Sequence, residues 1–283
     1  MRWQGRRKSS NVEDHRGMGG RGLTVGGGLG AVVALVIYLF FGGNGDKIPT
    51  NINPLQKSEP TAERALTPQE KELGDFTAVV LADTEDVWHL IFNQAGREYR
   101  EPGMVLFSAA TESACGFAQS ATGPFYCPGD EKVYIDLDFF QELQRRLNAP
   151  GDFAMAYVIA HEVGHHVQNL LGTMDQVNRM RGRLSKREFN RYTVKLELQA
   201  DFLAGVWAHH AQRMKNILEE GDIEEAINAT GAVGDDRIQE KTRGYVVPDS
   251  FTHGTSKQRT RWFLKGWKTG DLNQGNTFDT ENL

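Results

Sequence analysis

The sequence predicts an α+β domain, with a small β-sheet early and a mainly helical part after it, preceded by one transmembrane helix. Three observations carry this reading. An uncharged apolar run covers residues 23–41, strand-like alternation ends by residue 138, and helical spacing of apolar residues dominates after Phe139. With 283 residues, 39% of them hydrophobic, the chain can bury an ordinary core.

Residues 1–21 are basic, with Arg2, Arg6, Arg7, Lys8, Arg16 and Arg21 against Glu13 and Asp14. Residues 22–43 are read as the membrane anchor: Leu29–Phe41 is continuously apolar, and Leu23–Phe41 is just long enough to cross roughly 30 Å of hydrocarbon. No small-x-small cleavage site follows, so an uncleaved anchor is preferred over a signal peptide. The basic end is then expected in the cytoplasm and the rest of the chain outside it. Residues 44–74, rich in Pro, Asn, Thr and Gly, read as a flexible linker, which leaves 75–283 as the folded domain. Beyond residue 45 the chain carries 26 basic and 35 acidic side chains, which argues against nucleic acid as a partner.

Within that domain the stretch from Phe76 has helical spacing and stops at Gly96. The segments "MVLFS" and "KVYIDLD" follow as strands. In the second, Val133, Ile135 and Leu137 alternate with Tyr134, Asp136 and Asp138, the pattern of a half-buried strand. The two cysteines, Cys115 and Cys127, are too far apart for a CxxC knuckle. They are either two buried thiols or a disulfide across the Gly123-Pro124 turn, and an extracytoplasmic domain favours the disulfide.

"GDFAMAYVIAHEVGHHVQNLLG" reads as a helix with Pro150 and Asp152 at its start and Gly172 at its end. His161 and His165 lie one turn apart on one face, and Glu162 is rotated about 60° from His165. This is H-E-x-x-H, in which two imidazoles hold zinc and the glutamate takes a proton from a water. His166 points away and is read as a supporting or surface residue. Gly164 costs roughly 1 kcal/mol in a helix interior, which close approach of another backbone would offset.

Catalytic zinc needs a third ligand with one position left open. Downstream, Ser185-x-x-Glu188 is a capping box opening a helix that carries Glu197 and Asp201 at i and i+4. Two solvent-facing carboxylates are the plain alternative. Their neighbours Leu196, Leu198, Ala200, Phe202, Leu203 and Ala204 make that costly. Glu197 is therefore the expected third ligand, and Asp201 the residue that fixes a ligand imidazole. His209 lies about 18 Å along the helix from Glu197, too far for either it or His210 to be a ligand.

"HEVGH" followed by "ELQAD" resembles the gluzincin pattern of thermolysin and of the membrane-anchored Ste24 and HtpX peptidases. "NVEDHRG", "ACGFAQSATGPFYCP", "KVYIDLDFF" and "AYVIAHEVGHHVQNLLG" are similar to the bacterial putative neutral zinc metallopeptidases over essentially the whole chain. The resemblance implies a zincin-like fold, zinc on His161, His165 and Glu197, Glu162 as general base, and a peptide or protein substrate. It also implies a group that stabilises the developing oxyanion. His253, just before the Thr255-x-x-Gln258 capping box, is the candidate and Tyr192 the reserve. With the anchor, this places the chain in the bacterial inner membrane with a periplasmic catalytic domain. An extended substrate is expected to pair with the edge of Lys132–Asp136. The rivals are a zinc-stabilised binding or scaffold protein and a chaperone-like protein that cleaves rarely.

Overall fold

Helix α1 (Pro68–Gln94) begins where Thr67 caps it. The Thr67 hydroxyl accepts from the Glu70 N–H, the Glu70 carboxylate accepts from the Thr67 N–H, and Pro68 fills the first helical position. The computed structural model describes residues 1–17, 65–280 and 283. Met1–Arg16 and Thr67–Leu283 form one compact unit, so the folded part starts earlier than Asp75 and includes the N-terminal segment.

Strands β1 (Val12–Asp14), β2 (Gly103–Phe107), β5 (Phe125–Cys127) and β6 (Lys132–Asp136) form a sheet in the order β1-β2-β6-β5. The first two pairings are parallel and β5 runs antiparallel to β6. Strands β3 (Ala110–Ser113) and β4 (Gly116–Gln119) make a separate hairpin, whose Cys115 is joined by a disulfide to Cys127 of β5. One face of the sheet, through Met104, Leu106, Tyr126, Val133 and Ile135, joins the helical core. Val105, Phe107, Cys127 and Tyr134 build a smaller cluster on the other face, where Phe125 stacks on Tyr134.

The expected half-buried strand is therefore buried on both faces. Its alternation misled because Asp136, 1% exposed, is a hub: it accepts the N–H groups of Ala109 and Asp138 and the Ser120 hydroxyl. Strand β6 is paired with β2 over its whole length and with β5 from Lys132 to Tyr134, so along those three residues it has no free edge for a substrate strand.

The remaining helices are α2 (Asp138–Arg145), α3 (Asp152–Leu170), α4 (Thr173–Asn178), α5 (Lys186–Lys215), α6 (Asp222–Ala232), α7 (Asp235–Arg243) and α8 (Ser256–Thr269). Helix α3 is buried from Phe153 to Gln168 and packs against α1, α5 and α6. Helices α5 and α8 meet backbone to backbone. A Cβ on Gly205 would lie 2.1 Å from the Phe263 carbonyl oxygen, and one on Gly266 2.1 Å from that of Phe202, so only glycine fits either position.

This architecture corrects the expected fold class and location. The chain is mainly helical with small sheets, and the 27-residue α1 precedes most of the strands. Among the described residues no helix is long and apolar enough to cross a membrane; the expected span, 22–43, lies outside the described residues. The single-pass arrangement also fails because β1 is hydrogen-bonded to β2. One folded unit cannot keep its first strand on the cytoplasmic face and its helices on the other. Three of the arginines taken for a positive-inside flank have carboxylate partners instead: Arg6 pairs with Asp83, Arg7 with Glu85 and Asp86, and Arg16 with Asp14. The expected placement in the inner membrane with a periplasmic domain falls with that topology.

Candidate metal centre

The centre forms where α3 crosses α5. A Cβ on Gly164 would stand 3.1 Å from the Ala200 carbonyl oxygen and 3.4 Å from the Ala200 Cα, so the bare glycine lets the two helices approach closely. The Ser185–Glu188 capping box opens α5 as the sequence predicts. Three turns on, Glu197 meets the imidazoles of α3. His161 Nε2 lies 3.2 Å from Glu197 Oε2 and His165 Nε2 lies 3.5 Å from Glu197 Oε1. One possible ligand atom from each of the three lies within 4.8 Å of the others.

Each imidazole is held from behind. His161 Nδ1 is 2.9 Å from Asp201 Oδ1, and His165 Nδ1 is 2.9 Å from Gln168 Oε1. With each Nδ1 engaged from behind, both Nε2 atoms turn toward Glu197. Asp201 is itself fully buried, accepting from the Tyr157 hydroxyl at 2.5 Å and from Arg259 Nε and Nη2 at 2.8 and 2.9 Å. Gln168 is fixed by donating to the Leu196 carbonyl at 2.7 Å and to Gln199 Oε1 at 3.0 Å.

The electrostatics follow from this packing. Burial opposes charge on His161, but the Asp201 and Glu197 carboxylates outweigh it and raise the pKa to about 9. Burial likewise works against charge on Glu197, yet His165, His253 and His161 hold its carboxyl well below the usual range. Burial raises Asp201, and Arg259 with His161 more than reverses this. The pocket thus holds anionic donors in place despite desolvation, which is what a cation would require. Glu162 is only 8% exposed, and its carboxylate makes no hydrogen bond or ion pair among the described residues.

His253 is brought near but not into the cluster. Its side chain keeps 47% of its surface open. Desolvation lowers its pKa, and the Glu197 and Asp235 carboxylates reverse the effect. The loop lies against α5 beside Glu197: a Cβ on Gly254 would meet Val194 at 3.2 Å and Leu198 at 3.4 Å. Asp235 Oδ2 fixes that loop by accepting the N–H groups of Thr252, His253 and Gly254 at 2.8, 2.6 and 2.9 Å, while Oδ1 lies 3.3 Å from His253 Nδ1. Tyr192 packs half-buried against the core, with no hydrogen bond to the cluster among the described residues.

Three other histidines, His166, His209 and His210, are structural. His166 is fully buried, not a surface residue, and binds the Arg100 carbonyl at 2.6 Å and the Tyr126 hydroxyl at 3.0 Å. His209 and His210 bind the carbonyls of Trp267 and Gly270. Asp152, Asp222 and Glu225 form a second group of carboxylates, and the Met1 ammonium meets Asp152 at 2.6 Å, Glu219 at 3.2 Å and Asp222 at 3.4 Å.

Sequence reasoning missed Tyr157, Gln168, Asp235 and Arg259. A signal existed for three of them. Tyr157, His161, His165 and Gln168 fall at i, i+4, i+8 and i+11, one polar stripe along an otherwise apolar helix. Arg259 stands on the buried face of α8 with Trp262 and Phe263, where an arginine needs an anionic partner.

Comparison with known proteins found relatives along the chain. The uncharacterized protein YpfJ of Escherichia coli (strain K12) is 48% identical over 284 residues, covering 98% of this chain and 99% of its own. The uncharacterized protein Rv2575 of Mycobacterium tuberculosis (strain ATCC 25618 / H37Rv) is 44% identical over 195 residues, 65% of each chain. No solved structure matches. The profile of the family described as "Putative neutral zinc metallopeptidase" matches residues 1–278, and the chain belongs to that family.

Proposed function

We propose that the chain is a zinc-dependent peptidase in which His161, His165 and Glu197 hold the metal and Glu162 is the general base. The observation that carries this reading is the meeting of two imidazoles and one carboxylate at 3.2 and 3.5 Å, each imidazole with its other nitrogen engaged. Two nitrogens and one oxygen suit zinc with a position left open, and those separations are near the ~3.3 Å edge of a tetrahedron with bonds of about 2.0–2.1 Å.

When bound, zinc supplies a Lewis acid that polarises a carbonyl and makes water acidic near neutral pH. The chain's own groups divide the remaining work. Asp201 and Gln168 orient the two imidazoles, and Arg259 with Tyr157 keeps Asp201 ionised and in place. Glu162, without a partner of its own, takes a proton from the attacking water and passes it to the leaving amine. His253, steadied by Asp235, donates to the oxygen that gains charge as the carbonyl is attacked. The substrate class is a peptide or protein.

The test is cleavage of a peptide library by the zinc-loaded full chain beside Glu162→Gln. The near-isosteric variant should keep the fold and lose about 10²–10⁴ in turnover. Equal cleavage by both would remove Glu162 from the mechanism. Silence of the zinc-loaded wild type across a broad library would count for the binding or scaffold reading.

A further inference from the structure

Residues 275–278 lie against the face of α5 that carries Lys195 and Gln199. The Thr277 hydroxyl donates to the Lys195 carbonyl at 2.6 Å, and Lys195 Nζ donates to the Phe278 carbonyl at 2.8 Å. Thr277 is fully buried. A Cβ on Gly275 would stand 2.5 Å from Phe202 Cε1, so the bare glycine lets the segment lie close on the helix. There the Gly275 carbonyl accepts from Gln199 Nε2 at 3.1 Å.

That contact gives a direction to a longer chain of hydrogen bonds. A backbone carbonyl can only accept. With the Gln199 amide nitrogen turned to Gly275, its Oε1 faces Gln168 and accepts from Gln168 Nε2 at 3.0 Å. The second hydrogen of that nitrogen goes to the Leu196 carbonyl at 2.7 Å. Both donors of Gln168 are then used, and its Oε1 lies 2.9 Å from His165 Nδ1. An amide oxygen also only accepts, so His165 Nδ1 carries the proton and Nε2 keeps its lone pair. Turning the Gln168 amide over would set its oxygen against two acceptors at once, in a side chain with no exposed surface.

We infer that Gln199, aimed by the Gly275 carbonyl, is a positioning residue that holds the His165 proton on Nδ1 and so keeps Nε2 ready for the metal. It acts through Gln168, and the inference rests on His165 as a zinc ligand. The two imidazoles are thus set by different means. The Asp201 carboxylate behind His161 accepts at either oxygen, whereas an amide accepts at only one of its two ends. Gln168 therefore depends on its partners for orientation as well as for position.

The experiment compares wild type, Gln199→Met, Gln168→Met and the double variant as full chains, with circular dichroism as the check of folding. Zinc affinity is read by competition with a chromophoric chelator. Gln199→Met frees Gln168 to turn and should weaken zinc binding roughly fivefold, the effect of losing one hydrogen bond. Gln168→Met removes the partner itself and should weaken it by roughly 10–100-fold. In the Gln168→Met background, Gln199→Met should change nothing further. A Gln199 that only supports the fold would weaken both backgrounds alike, and that result, or no effect in either, would overturn the inference. The proton is read separately, without metal. Long-range nitrogen–proton correlation spectra in alkaline buffer, where free imidazoles are neutral, should place the wild-type His165 proton on Nδ1, with the signal assigned by its loss in His165→Ala. Gln199→Met should show a mixture of the two tautomers, and so should Gly275→Ala, whose Cβ pushes the segment away from Phe202. A proton on Nε2 in wild type, or an unmixed Nδ1 tautomer in the folded variants, would overturn the inference. Should Gln199→Met not fold, the wild-type and Gly275→Ala spectra decide. If wild type holds no zinc, the reading of His165 as a ligand fails, and the spectra still decide what Gln199 does.

Discussion

Replacing Arg259 with methionine isolates the buried network behind His161. Arg259 is 3% exposed and makes two hydrogen bonds to the Asp201 carboxylate, at 2.8 and 2.9 Å. Methionine keeps much of the stem volume and removes the charge, so the main loss is electrostatic. Removing one partner of a buried pair typically costs ~3–5 kcal/mol, because the other charge stays buried without compensation. Asp201 retains the Tyr157 hydroxyl and His161 Nδ1, so the lower end, ~3 kcal/mol, applies here. For a chain of this size that lowers the melting temperature by about 6–12 °C. Differential scanning calorimetry reads this directly. Asp201→Leu/Arg259→Met should then lose less than the two single changes added together, since the double variant leaves no unpaired charge. A fall of less than about 2 °C in Arg259→Met, or strict additivity, would refute the reasoning.

Two further predictions concern other parts of the unit. His253→Ala should keep zinc and lower kcat by roughly 10²–10³ with little change in KM, if its imidazole stabilises the developing oxyanion; Asp235→Asn, which loosens the same loop, should move kcat in the same direction. Arg6→Met should destabilise the chain by about 1–3 kcal/mol, because Asp83 then keeps only Lys215. Burial raises the Asp83 pKa even with Lys215 and Arg6 beside it. A buried carboxyl raised in this way penalises folding above its folded pKa and not below its unfolded one, so the Arg6→Met loss should be largest near neutral pH and shrink on acidification. Chemical denaturation of both proteins across pH checks the sign.

Much of the centre was legible because helical periodicity fixes it locally. His161 and His165 share a face at i and i+4, as do Glu197 and Asp201, and each pair needs only its own helix to be correctly drawn. Bringing the pairs together requires the α3–α5 crossing, of which Gly164 was the sole local sign. Arg259 was legible as needing an anion but not as the partner of Asp201. It lies 58 residues after Asp201, and nothing in α8 itself names its partner. The N-terminal arginines show the converse failure. A basic run beside an apolar stretch has the same pattern whether its counter-ions are lipid phosphates or folded carboxylates, and here Asp83, Glu85 and Asp86 answer it. Asp136 disguised a central strand as a half-exposed one, because an acid satisfied by neighbouring N–H groups reads like a solvent-facing acid.

The most direct test of the central claim is the zinc content of the purified full chain after dialysis against a weak chelator, measured for wild type, Glu197→Ala and Glu162→Gln. If His161, His165 and Glu197 are the ligands and Glu162 is not, wild type and Glu162→Gln retain one zinc per chain and Glu197→Ala loses it. Full occupancy in Glu197→Ala, or loss of zinc in folded Glu162→Gln, would contradict the account.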